Sequence, residues 1–82
     1  MTKEKRNNLN ETNEYSLSGL YQAISYFGTQ TALAKKLGFD KSTVTSWIKR
    51  RRKITAETAI SIEKATNGTV SREDVRPDLF IK

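Results

Sequence analysis

The stretch QTALAKKLGFDKSTVTSWIK, Gln30 to Lys49, constrains the fold most, because it places two short runs of helical periodicity either side of a three-residue break. The first run, from about Gln30 to Leu37, puts Leu33, Ala34 and Leu37 on one side, with Thr29 available as N-cap. The second follows Asp40, read as its N-cap, and runs from Lys41 through Lys49 with Val44, Trp47 and Ile48 at i, i+3 and i+4. Between them Gly38 can take the positive φ that a tight turn demands. Ala34 is small where the helices would cross, and Leu33, Leu37, Phe39, Val44 and Trp47 supply an apolar lock. These offsets predict a helix-turn-helix. They also assign Trp47 to packing and not to stacking on a base.

The flanking sequence predicts more helix. Leu17, Leu20, Ile24 and Phe27 recur at helical spacing from a start near Leu17 or Ser18, with Tyr21 and Tyr26 beside the stripe and Gly28 as the stop. Thr55 can cap a fourth helix from Ala56 to about Thr66, with Ile54 and Ala59 as a hydrophobic staple and Asn67-Gly68 closing it. Ser71 and Asp74 form a capping-box signal between Val70 and Val75, which predicts one further short helical turn. Pro77 then drives Arg76 towards an extended conformation, and Leu79, Phe80 and Ile81 form an apolar end piece that either closes the core or meets a second copy. Residues 1 to 16 hold too little apolar surface to offset the entropy of ordering, and are read as a flexible N-terminal tail preceding a domain from 17 to 82. The expected fold is all-α, with four to five helices in a single small domain, as 82 residues allow.

Composition narrows the function. The chain has no cysteine and no histidine, so disulfides, thiolate chemistry, the usual zinc ligands and the commonest general base are missing, and neither a catalytic group nor a metal or cofactor is expected. It shows neither an apolar run near 18 residues nor a leader pattern, so the expectation is a cytoplasmic protein without a membrane partner. The net charge of +6 is unevenly placed. From Lys35 to Lys53 eight basic residues face only Asp40, a local excess of seven, whereas residues 1 to 17 are neutral and those after Ile54 carry a net −1. Such a block suits a polyanion, because each neutralised phosphate releases condensed counterions.

On the helix starting at Lys41, the positions turned away from Val44, Trp47 and Ile48 are Lys41, Ser42, Thr45, Ser46 and Lys49, a row of hydrogen-bonding tips. Lysines can donate to guanine O6 and N7, and the hydroxyl residues can bond base edges or present a methyl to thymine. Thr29, Gln30, Thr43 and the amides opening the second and third helices suit phosphate oxygens, as do Arg50, Arg51, Arg52 and Lys53 beyond the helix. Glu57, Glu63, Glu73 and Asp74 read as cap, dipole and surface charges, not an acid pair.

The segment FGTQTALAKKLGFDKSTVTSWIKRRRKI resembles the DNA-binding core of Cro-type phage repressors, and from Gly19 to Phe80, including TAETAISIEKATNGTVSREDVRPDLF, the chain is most similar to the YdaS-like antitoxin group of the Cro/cI-type superfamily. The resemblance implies a lambda-repressor-like helical domain that reads a double-stranded DNA operator, often as a homodimer on a two-fold site. It matches Lys41, Ser42, Thr45, Ser46 and Lys49 to the family's base readers and Gln30 to a phosphate-contacting position. It implies a recognition helix over about Lys41 to Arg50 and, through the antitoxin label, a protein partner encoded nearby as the alternative function.

Overall fold

The computed structural model describes residues 15–80, so residues 1 to 14 of the expected tail and Ile81 of the end piece lie outside the described residues. Five helices follow in order: α1 Ser18–Phe27, α2 Gln30–Leu37, α3 Lys41–Ile48, α4 Ala56–Ala65 and α5 Arg72–Val75. They match the expected elements. Among the described residues there is no strand.

Local chemistry sets most of the boundaries. Thr29 and Thr55 accept the N–H groups of Ala32 and Thr58 at 3.0 and 3.1 Å, which satisfies donors that a helix start leaves without a partner. Ser71 and Asp74 form the reciprocal capping box expected of them. Gly38 takes a left-handed φ of 82°, and the Phe39 N–H reaches the Ala34 carbonyl at 2.8 Å, so the chain reverses in three residues. Asp40 departs from expectation. It has N-cap backbone angles, yet its exposed carboxylate accepts no N–H, and the main chain alone closes the turn with Thr43 N–H on the Asp40 carbonyl at 3.0 Å.

The helices bury a thin core built from Leu20, Ala23, Leu33, Ala34, Val44, Trp47, Ile54, Ala59, Ile62, Val70 and Val75. Helix α2 lies at its centre, in contact with α1, α3 and α4. Phe39, expected inside the lock, is 40% exposed and sets its ring edge-on against Trp47 with centroids 5.6 Å apart. Thr66 is a buried polar residue whose hydroxyl donates to the Ile62 carbonyl at 2.9 Å and accepts from Val70 N–H at 3.1 Å, which fixes the turn after α4. Phe80 packs against the core under the guanidinium of Arg72, while Leu79 faces outward.

Two residues assigned to the tail belong to the folded part. Tyr15 is 7% exposed within the core, and its hydroxyl accepts the Ile54 N–H at 2.9 Å. Ser16 accepts the Ser18 N–H at 3.1 Å. A tyrosine can enter a core where its polar tip finds a partner, and here that partner lies 39 residues away. The Ile54 carbonyl in turn accepts from Arg76, a buried arginine whose fork binds both oxygens of Asp78 at 2.9 and 2.6 Å.

Gly19 is required by close approach. A Cβ there would run into the backbone of Asp74 and Val75 where α5 crosses α1, so Gly19→Ala should destabilise by about 1 to 3 kcal/mol, read from the urea midpoint. The Arg76 hydrogen bond, and secondarily its charge, hold the Asp78 carboxyl below the usual carboxylate range. That contribution is therefore complete above the ordinary carboxylate pKa and is lost as pH falls through the depressed one. Because the Asp78 side chain is 38% exposed, about 1 kcal/mol or less is at stake. Asp78→Asn should be the less stable protein at neutral pH, and the gap in urea midpoint should close on acidification.

Candidate nucleic-acid interface

Burial along helix α3 is graded from one side to the other. Val44 and Trp47 are buried, Ile48, Thr45 and Ser46 are half-buried, and Lys41, Ser42 and Lys49 are exposed. The five expected readers thus share the outer side of one element, Lys49 from its C-cap position.

Gln30 and Thr45 are joined. The Thr45 hydroxyl donates to Gln30 Oε1 at 3.3 Å, tying the first residue of α2 to the middle of α3 and leaving the Gln30 amide N–H groups as the donors available outward. Thr29 uses its oxygen as the cap of α2, so its hydroxyl proton is what it can still offer. Thr43 lies nearly opposite Thr45 around the helix and lines a cleft of about 340 Å³ with Phe39, Trp47, Arg52, Lys53 and Glu57. Of the expected phosphate contacts it therefore keeps company with the basic loop and not with Gln30.

The helix ends earlier than the sequence suggested. It stops at Ile48 and not near Arg50, because Arg50 enters the left-handed region at φ 59°. Arg50 N–H bonds the Trp47 carbonyl at 3.1 Å and Arg51 N–H the Ser46 carbonyl at 2.9 Å, the pair of bonds that closes a Schellman cap. The loop that follows carries Arg51, Arg52 and Lys53, all exposed, before the chain dives into the core at Ile54. The guanidinium of Arg50 stands 5.8 Å from the Tyr15 ring centre. Lys35 and Lys36, in the last turn of α2, are exposed as well.

Sequence reasoning missed Tyr15 and Arg76, which brace this loop from outside it. The opposite charges two residues apart around Pro77 were the available signal for Arg76, whereas nothing local marks Tyr15. Among the described residues no group of three potential ligands could hold a metal ion, and no helix is long and apolar enough to cross a membrane.

The family described as "Bacterial toxin YdaS" matches residues 20–82. The chain belongs to the YdaS family. Within it, the protein named "Putative transcriptional regulator YdaS" from Escherichia coli (strain K12) is 43% identical over 58 residues, which cover 71% of this chain and 59% of that protein. The chain thus spans less than two thirds of that relative's length. "Regulatory protein cro" of Pseudomonas phage D3 is 34% identical over 56 residues, covering 68% of this chain and 77% of that protein. The Cro protein of a prophage element in Xylella fastidiosa strain Ann-1 superposes with a TM-score of 0.71 at 38% identity, over 78% of this chain and 97% of that one. This YdaS-family chain is a Cro-like helix-turn-helix protein. The family is described as a toxin, where the sequence resemblance carried the label antitoxin.

In this YdaS-family chain the left-handed residue after α3 gives a stability test. Arg50→Val, β-branched at positive φ, should be less stable than Arg50→Gly by about 1 to 2 kcal/mol in urea denaturation.

Proposed function

We propose that this chain is a sequence-specific DNA-binding transcriptional repressor that lays α3 in the major groove of an operator and blocks access to it. The observation that carries the reading is the outer side of α3: short hydroxyl side chains in its middle, lysines at both ends, and an exposed basic loop directly beyond. On this reading Lys41, Ser42, Thr45, Ser46 and Lys49 read base edges. Thr29, Gln30, Thr43, Arg50, Arg51, Arg52 and Lys53 hold phosphates. The names of the Escherichia coli and phage D3 relatives support regulation over catalysis.

A helix of eight residues is about 12 Å long and faces about four base-pair steps, too few for useful selectivity, so the reading includes a homodimer on a two-fold site in the nucleoid of the cytoplasm. No cofactor enters this reading. A second reading, a module that binds a toxin or partner regulator, is favoured by the family's toxin description and by an uncharged outer side of α1 that leaves Tyr21 and Tyr26 exposed.

Footprinting the DNA upstream of the chain's own gene tests the first reading, with paired protections one helical turn or a multiple apart as the expected result. Ser42→Ala should weaken binding only at particular base positions, whereas Arg51→Ala should weaken binding to every sequence and lower the salt slope by about 1. Equal losses on operator and random DNA for both variants would remove the assignment of readers. Co-purification with a neighbouring gene product, without a gel shift on the upstream DNA, would favour the second reading.

A further inference from the structure

The basic loop between α3 and α4 is fixed at both ends. At its entry the Schellman bonds tie Arg50 and Arg51 back to Trp47 and Ser46. At its exit both main-chain groups of buried Ile54 are taken by side chains from elsewhere: the N–H by the Tyr15 hydroxyl at 2.9 Å and the carbonyl by Arg76. The Arg76 guanidinium lies 4.2 Å over the Tyr15 ring and is itself held by Asp78, while Arg50 approaches the same ring from the loop side. Three successive exposed cations, Arg51 to Lys53, repel one another between these anchors. Without the exit anchor a buried peptide N–H would lose its acceptor, and the loop could relieve both strains by swinging away from α3.

We propose that Tyr15 and Arg76 are positioning residues for DNA binding: by clamping Ile54 they hold the Arg50 to Lys53 loop where its cations meet phosphates flanking the groove that α3 enters. Binding then needs little further ordering of this loop, and the clamp acts on affinity through preorganisation. The inference rests on the DNA-binding reading above.

Tyr15→Phe isolates the clamp, since it keeps the ring beside both guanidiniums and deletes only the oxygen that accepts the Ile54 N–H. Affinity for a random duplex of about 30 base pairs, followed by fluorescence anisotropy from about 50 to 200 mM salt, should fall about three- to tenfold, with a shallower salt dependence than the wild-type chain. Arg51→Ala should then cost less in the Tyr15→Phe background than alone, a coupling that a merely structural role would not produce. Arg76→Lys, which keeps the charge and loses the fork, should move affinity and slope the same way. Circular dichroism selects a temperature at which every variant is folded. If Arg51→Ala lowers the slope while Tyr15→Phe matches wild type in affinity and slope, the clamp inference is overturned and the DNA reading stands. If the wild-type chain binds no duplex at all, both are overturned.

Discussion

The burial of Leu33 and Ala34 on α2 is the contact on which everything else rests, because α2 meets α1, α3 and α4 at once. A domain this small has no second core to fall back on. Helix α3 packs on α2 with Val44 and Trp47 out of water, and that burial turns the opposite side of α3 outward. The exposure of Ser42 and Lys49 is thus a result of packing, fixed by residues on the opposite side of the helix.

Electrostatics enters after packing. The described basic residues near α3 lie at its ends and in the following loop, not in the middle of its outer side, where only hydroxyl residues stand. Long cations in the middle would hold the helix off any surface it approached, whereas short side chains permit close contact while the ends supply attraction. The charges of the loop oppose its compactness, and the side chains that bond Ile54 at its exit come from the two ends of the folded region, Tyr15 before α1 and Arg76 after α5.

The features legible in the sequence were those with a local cause. Periodicity located α1 to α3, Gly38 announced the reversal, Thr55 with the Ile54 and Ala59 staple announced α4, and Ser71 with Asp74 announced α5. Features set by distant neighbours were not legible. Gly19 reads as a weakness in a helix until α5 is known to cross it, and Tyr15 reads as an isolated aromatic in a polar stretch until Ile54 is brought to its hydroxyl. The end of α3 was misplaced for a different reason: a left-handed stop normally appears as glycine or asparagine, and here an arginine occupies it inside a run of like residues. The shared side of α3 that carries Lys41, Ser42, Thr45, Ser46 and Lys49 was legible from helical spacing, but the bond between Thr45 and Gln30 joins two elements and leaves no periodic trace.

That bond bears on any attempt to exchange the outer residues of α3. Grafting the outer residues of another protein's helix onto Lys41–Ile48 would import a replacement for Thr45 while leaving behind the side chain on the preceding helix that it was matched to. A transplant that keeps this bond carries positions 30 and 45 together.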